Sequence, residues 1–318
     1  NFKSLYFIRL INLSKMRKIF LKIEKRRSIK TITKYLGENI LLRFCGVFSK
    51  IIFFIVSFLL FNPSNINAQQ NINGLSFDGN NDFISLGNSS LLKPTSALTI
   101  ESWLYLNSWN QAGTQTIIST YDTAGYSLVV QNGQLIGSLY RNGTTATVTY
   151  NVSSYTGWHH VALYFNGQYL RLYTDGSLRS TNNAGATYSI GYNPLLNVFI
   201  GASPVDTSNF LNGVIDEIRI WSTARTISTS SVHYEVLPTT TGLIAYYRLN
   251  QGIAGYDNTS ITEIVDLTSN SLNGFLNNFL LTGSTSNFVE GKALKPINTS
   301  SSLTPIDNQL TQFTISWI

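Results

Sequence analysis

The chain of 318 residues has very little cysteine, methionine and charge. It contains 1 Cys and 1 Met, and Asp, Glu, Lys and Arg together make up 12% of it, against roughly 25% in ordinary soluble domains. A single cysteine excludes a disulfide scaffold and a cysteine-based metal cluster. The scarcity of Glu and Lys excludes a coiled coil or a helix bundle. The hydrophobic content of 43% is enough to bury a core, which argues against disorder.

The few charges are unevenly distributed. The whole chain carries a formal net charge of +6, which would favour a nucleic-acid or membrane-surface partner. Residues 1–68 hold 13 of the 22 Lys and Arg residues and two of the 16 acids, so residues 69–318 have a net charge of −5. Nine scattered basic residues do not form a nucleic-acid-binding patch, so we predict no nucleic-acid partner.

The beginning of the chain has the pattern of an export signal. Basic residues cluster between positions 15 and 50, and an apolar run of 11 residues follows at 51–61, short of the ~20 that a membrane-spanning helix needs. We predict a secretory signal peptide within residues 1–68 that is cleaved after Ala68; an uncleaved signal anchor is the alternative. Met16 is one candidate start, which would make residues 1–15 an upstream extension, and a start before Asn1 is the other. Secretion or display at the cell surface follows from this prediction.

From Gly74 onward the sequence alternates short strands and turns. Residues 98–106 place large apolar side chains at 98, 100, 104 and 106, on one face of a strand. The Asn132-Gly133 and Asn166-Gly167 pairs suit tight hairpin turns. Strand patterns of five to eight residues with turn signals every eight to twelve predict an all-β protein, an antiparallel β-sandwich or jelly roll.

Six segments in order carry a family resemblance: residues 75–84, 98–103, 158–162, 172–176, 200–201 and 210–221. In this order they resemble the laminin-G-like, concanavalin A-like lectin/glucanase jelly-roll domain of secreted, Bacteroidetes-type surface proteins. The resemblance implies two antiparallel sheets in one domain over residues 72–237. Residues 238–291 look like the β-rich connector between such domains. Residues 292–318 are similar to the start of the domain, so we predict the truncated start of a second repeat there.

A calcium site is the sharpest candidate for metal binding. Asp78 and Asp82 flank a Gly-Asn-Asn turn, and Ca²⁺ prefers carboxylate and carbonyl oxygens. The resemblance implies that the first-strand acid lies beside Asp216. We therefore predict that Asp78, Asp82 and Asp216 hold one structural Ca²⁺. The alternative is that these aspartates only shape turns.

Sugar binding is the second candidate chemistry, because lectin sites combine an aromatic platform with polar side chains on loops. Four residues in predicted loops have these properties: Trp109, Asn110, Tyr121 and Asp122. Trp103, Trp158 and Trp221 lie in strand patterns, so we assign them to the core. For Trp109 the core and the ligand platform both remain open.

Catalysis is not expected. Glycosidases need two carboxylates facing the scissile bond, whereas Asp216 and Glu217 are adjacent and should point to opposite faces of a strand. Glu101 stands alone in its strand, and we expect His160 to be a buried structural residue. The sequence predicts a non-catalytic, extracellular recognition or adhesion module that binds a glycan or a surface protein. A polysaccharide-degrading glycoside hydrolase of the same fold and a structural spacer are the alternatives.

Overall fold

A computed structural model describes residues 72–296. The predicted signal peptide lies outside the described residues, as does all but residues 292–296 of the predicted second repeat. Within residues 72–296 no helix is long and apolar enough to span a membrane.

Sixteen strands and two short 3-10 turns, Ser90–Leu92 and Ser231–His233, make up the described part of the chain. The strands are β1 Asn73–Asp78, β2 Phe83–Ser85, β3 Leu98–Leu106, β4 Thr114–Ser119, β5 Tyr126–Gln131, β6 Gln134–Arg141, β7 Thr144–Asn151, β8 Trp158–Phe165, β9 Tyr169–Thr174, β10 Ser177–Asn183, β11 Phe199–Ile200, β12 Asn212–Trp221, β13 Leu243–Tyr247, β14 Glu263–Ile264, β15 Gly274–Asn277 and β16 Phe288–Glu290.

These strands form two eight-stranded sheets. Sheet A has the order β10-β9-β8-β3-β12-β1-β16, and β13 pairs with β12 beyond the end of β1. Sheet B has the order β14-β15-β2-β11-β4-β5-β6-β7. Every strand pair within the two sheets is antiparallel. The all-β sandwich predicted from the sequence is therefore confirmed.

Local turn chemistry explains the hairpins. Asn132 and Gly133 have φ values of 50° and 76°, and Asn142 and Gly143 have φ values of 48° and 74°. Two successive positive φ values define the type I′ turn, whose twist matches that of the flanking strands. These turns join β5 to β6 and β6 to β7, whose residues pair in continuous register.

The hydrophobic core lies between the two sheets. The β3 side chains of Leu98, Ile100, Leu104 and Leu106 are all buried in it, as the alternating pattern predicted. Equivalent alternate positions of the neighbouring strands complete the inner side of sheet A. The odd-numbered positions of β3 therefore face the outer side of this sheet.

Residues 238–291, predicted as a connector, add strands to both sheets. Strand β13 pairs with β12, and β16 pairs with the free edge of β1. Strand β15 pairs with β2, and β14 pairs with β15. The sheets of the sandwich therefore continue past residue 237.

A β-bulge interrupts β12 and changes which side chains share a face. Asp216 pairs with Trp103 but Arg219 pairs with Glu101, so β12 has one extra residue at this point. Glu217 adopts a φ of 54°. Because Ile215 and Ile218 both point into the core, Asp216 and Glu217 both lie on the outer side. The expectation that these two carboxylates face opposite ways is wrong, since it assumed an uninterrupted pleat.

Candidate ligand-binding cleft

The outer side of sheet A carries a buried polar layer centred on Glu101. Its Oε2 atom lies 3.1 Å from His160 Nε2, and its Oε1 atom accepts a hydrogen bond of 3.0 Å from Trp221 Nε1. Arg225 also donates to Oε1, and Arg219 Nη1 lies 3.7 Å from it. Burial alone would raise the pKa of Glu101. The His160 hydrogen bond and the charges of Arg219 and Arg225 outweigh burial and lower the pKa to about 2.

A second buried carboxylate, Glu217, lies on the other side of Arg219. Arg219 Nη2 donates to Glu217 Oε2 over 2.8 Å, Arg248 Nε donates to Oε1 over 3.3 Å, and the Tyr246 hydroxyl donates as well. Asp216 accepts hydrogen bonds from the backbone amides of Glu217 and Lys292. Burial and the Glu217 charge raise the pKa of Asp216 well above its usual value. These carboxylates bind the protein's own donors and are closed to solvent.

Residues 222–240, the covering segment, lie over this polar layer. Thr99 Oγ1 donates to the Thr223 carbonyl over 2.8 Å, and Trp103 Nε1 donates to the Val232 carbonyl over 3.2 Å. The described chain returns to this segment at Lys295, which forms a parallel bridge with Tyr234. Its ammonium lies 5.7 Å from the Tyr234 ring centroid.

A cleft of about 590 Å³ opens between the covering segment and the C-terminal end of β12, within the usual size range of small-ligand sites. Its walls include Trp221, Thr223, Arg225, Tyr234, Glu235 and Leu237. The Arg225 guanidinium lies over the Trp221 ring at 4.4 Å. Tyr234 is 43% exposed and Leu237 is 48% exposed, so an aromatic and an aliphatic side chain are open to a ligand. Three more hydroxyls line the cleft, those of Ser231, Thr240 and Thr241.

The sequence-predicted sugar residues do not form one site. Trp109 is only 2% exposed and belongs to the core, so its assignment as a ligand platform is wrong. Its ring packs against Tyr155 and His159 instead. Asn110 is exposed before β4, whereas Tyr121 and Asp122 follow β4 and are half-buried. Six residues of strand separate the two groups by about 20 Å, so they lie at opposite ends of the sandwich.

The three predicted calcium ligands also lie in two places. Asp82 Oδ2 accepts a hydrogen bond of 2.9 Å from the Asp78 amide, so these two residues are neighbours. Asp78 pairs with Asn212, four residues along β12 from Asp216, or about 13 Å. In the described part of the chain no three His, Cys, Asp or Glu side chains are grouped to hold a metal ion. Asp78, Asp82 and Asp216 therefore do not fit one ion, and calcium binding itself stays a prediction.

Sequence reasoning missed the cleft. Arg225, Tyr234 and Leu237 lie in a segment without strand periodicity, and Trp221, predicted as core, is indeed buried although its ring forms part of a cleft wall. The available signal was length, because 21 residues without a strand separate β12 from β13. Long irregular connections in compact domains are commonly functional.

The sequence and the fold are similar to those of known proteins. Residues 78–229 match the family model Laminin_G_3, described as the concanavalin A-like lectin/glucanases superfamily. A candidate carbohydrate-binding protein from Bacteroides ovatus has a similar structure, with a TM-score of 0.52 and 20% identity over 71% of this chain. This chain spans 62% of the length of that protein. At this identity the likeness shows the fold alone.

Two further structures are more distant. Domains LG4-5 of the mouse laminin alpha1 chain give a TM-score of 0.38 at 14% identity, covering 46% of this chain and 40% of that one. The CBM40 of a Ruminococcus gnavus IT-sialidase, solved with alpha2,3 sialyllactose, gives 0.40 at 14% identity, covering 51% and 96%. No curated protein matches the sequence at a significant level. Residues 78–229, just under half of the chain, match the laminin G-like family model of the concanavalin A-like lectin/glucanases superfamily, and the two-sheet sandwich agrees with that match.

Proposed function

We propose that this protein is a non-catalytic carbohydrate-binding module of a secreted or surface protein, and that the sugar lies in the cleft beside the covering segment. The single observation that supports this most strongly is the composition of the cleft. An exposed phenol ring and an exposed leucine stand beside an arginine and several hydroxyls. A sugar ring needs both kinds of group, because one of its faces is apolar and its rim carries hydroxyls.

The size of the cleft is compatible with a glycan as the partner. A volume of about 590 Å³ lies within the usual range of small-ligand sites. The Bacteroides ovatus protein of similar fold is itself a candidate carbohydrate-binding protein. Adhesion of the larger protein to a glycan follows from this proposal.

The arrangement of carboxylates supports binding without catalysis. Glu235 is the one acid among the described residues that line the cleft, and its Oε1 atom accepts a hydrogen bond from Arg248. Glycoside hydrolysis needs two carboxylates at the scissile bond. Reducing sugar released from a bound glycan, and lost on Glu235→Gln, would instead support the hydrolase alternative.

The test is a glycan array followed by calorimetry of the full chain with the best neutral oligosaccharide. We expect Tyr234→Ala to weaken binding by roughly five- to tenfold, the usual value of an aromatic contact. Tyr256→Ala is the matched control, because Tyr256 is also exposed but lies outside the cleft. Equal affinities of the two variants would reject the cleft as the site. Failure of the wild type to bind any glycan would favour the structural spacer.

A further inference from the structure

Three tyrosines and one arginine form a second polar-aromatic surface on the outer side of sheet A. Tyr169, Arg171 and Tyr173 occupy alternate positions of β9, and the intervening Leu170 and Leu172 are fully buried in the core. The three side chains therefore share the outer face. On β8, Tyr164 pairs directly with Arg171. We call these four residues the Tyr–Arg face.

The arginine is held between aromatic rings. Its guanidinium carbon lies 4.8 Å from the Tyr169 ring centroid and 5.5 Å from that of Tyr164. The Tyr164 and Tyr173 rings meet edge to face at 6.2 Å. All four side chains are half-buried. The planar guanidinium is thus fixed in position by stacking, which is the geometry that suits recognition of a planar anion.

What distinguishes Arg171 is that its hydrogen-bonding capacity is unused. The other five arginines of residues 72–296 each donate to a protein oxygen: Arg141, Arg179, Arg219, Arg225 and Arg248. The Arg171 side chain forms neither an ion pair nor a hydrogen bond with any described residue, and its buried Nε atom has no partner. An arginine has five donors, and a buried donor without an acceptor is costly.

The surroundings of Arg171 favour an anion. Between Trp158 and Asn183 the only acid is Asp175, and its Oδ2 atom already lies 2.8 Å from His159 Nδ1. The hydroxyls of Tyr164, Tyr169 and Tyr173 have no hydrogen-bond partner within the described residues. A fixed positive charge therefore lies among three phenol groups without a neutralising carboxylate. This is a complementary surface for a ligand with both an acidic group and hydroxyls.

We propose that the Tyr–Arg face binds an acidic sugar, with the Arg171 guanidinium pairing with its carboxylate. The tyrosine rings would contact the C–H face of the pyranose, and their hydroxyls would bond to the ring hydroxyls. This proposal rests on the proposed function as a carbohydrate-binding module but uses a different face from the cleft. A sulfate ester is tetrahedral rather than planar, but two of its oxygens can also accept parallel hydrogen bonds from a guanidinium, so the experiment includes both anions.

The test is calorimetry of the full chain with three oligosaccharides at physiological salt. The probes are an oligogalacturonate, its fully methyl-esterified form, and a sulfated dextran oligosaccharide. We expect the acid form to bind and the neutral ester to bind at least tenfold more weakly, because the ester cannot form charge-assisted hydrogen bonds with the Arg171 guanidinium. Binding of the sulfated probe that depends on Arg171 would also support the site and would broaden its anion. Failure of both acidic probes to bind would overturn the proposal.

Single substitutions test whether the acidic probe binds at Arg171. Arg171→Gln should weaken binding of the acidic probe by roughly tenfold or more, and Arg171→Lys should be intermediate because it keeps the charge but loses the planar fork. Arg179→Gln is the matched control, since it removes the same charge from the adjacent strand, where Arg179 already bonds to Thr174. Equal losses in the two Gln variants would show non-specific attraction and overturn the proposal. So would an Arg171→Gln protein that is folded by circular dichroism and binds like the wild type.

The two variants distinguish binding at the Tyr–Arg face from binding in the cleft. Tyr234→Ala should leave binding of the oligogalacturonate within twofold of wild type. If Tyr234→Ala abolishes that binding while Arg171→Gln does not, the acidic sugar occupies the cleft and the Tyr–Arg face is rejected. If Arg171→Gln alone abolishes it, the face is supported whether or not the cleft binds a neutral glycan.

Discussion

Glu101 is a buried carboxylate that keeps its charge, and three neighbours make this possible. His160 and Arg225 contact it directly, and Arg219 adds charge from 3.7 Å. A buried ion is stable only when it is paired and hydrogen-bonded. The strand pattern of β3 predicted correctly that Glu101 lies opposite the inward-facing residues. Its partners could not be predicted, because they come from β8, β12 and the covering segment.

Glu101 should make stability fall at acid pH. Its folded-state pKa of about 2 lies below the ordinary 4.5, so its contribution is complete above pH 4.5 and is lost as pH falls towards 2. The difference is worth about 3 kcal/mol. We expect Glu101→Gln to lower the free energy of unfolding at pH 7 and to flatten its decline between pH 4.5 and 2, measured by urea titration. Glu290→Gln, at an exposed position, is the control, and a steep decline preserved in Glu101→Gln would contradict the assignment.

Asp82 is the residue on which the remaining calcium prediction depends. Burial and the Asp78 charge raise the pKa of Asp82 to about 6. Hydrogen bonds from the Asp78 amide and Ser286 oppose this rise. A bound cation would offset the repulsion between the Asp78 and Asp82 carboxylates. We expect millimolar Ca²⁺ to raise the Tm of the wild type and not that of Asp82→Asn, measured by calorimetry. A Tm that is the same in Ca²⁺ and in excess chelator would count against calcium.

At the scale of single elements, the β12 bulge decides which side chains are buried together. Local periodicity predicted β12 itself, but a bulge depends on the register with β3, 110 or more residues earlier in the chain. One extra residue is enough to place Asp216 beside Glu217 on the outer side. Strand existence was therefore predictable and side-chain orientation beyond residue 216 was not.

Deleting Glu217 should remove the bulge without changing which face the later residues of β12 occupy. Ile218 would follow Asp216 directly, so Ile218 and Ile220 would still point into the core and Arg219 would still pair with Glu101. The deletion loses the carboxylate that Arg219, Tyr246 and Arg248 contact, so we expect a cooperative unfolding transition with reduced stability by circular dichroism. Deletion of Val205, which lies exposed between β11 and β12, is the matched control, and the loss of a cooperative transition on deleting Glu217 would contradict this account of the bulge.

At the scale of the whole molecule, the sandwich is completed by strands that the sequence pattern assigned to a connector. Strand β16 covers the edge of β1, and its Phe288 is fully buried in the core. Strand β13 pairs with the C-terminal part of β12. Tyr247 of β13 and Ile264 of β14 are also fully buried. The family resemblance ended near residue 237, so it could not reveal that later residues close both sheets.

A chain of residues 72–237 should therefore fail to fold, whereas residues 72–296 should fold. The shorter chain would leave β1 with an open edge and expose the apolar surface that β13 to β16 cover. We expect a cooperative thermal transition only for the longer chain, together with protease resistance. A cooperative transition for residues 72–237 would show that β13 to β16 are an accessory layer.

The sequence by itself determined the strands and hairpins, because alternating apolar residues and Asn-Gly turns act over a few neighbouring positions. It also indicated the type of fold, since six local segments occur in the order that the laminin-G-like resemblance requires. The tertiary structure alone decided the cleft, the buried partners of Glu101 and the unpaired state of Arg171. Each depends on residues brought together by strand pairing across tens to hundreds of positions, as when Tyr234 meets Lys295 or Arg225 meets Glu101.

Trp109 illustrates the same limit, because a loop position predicts exposure and only packing against Tyr155 and His159 buries it.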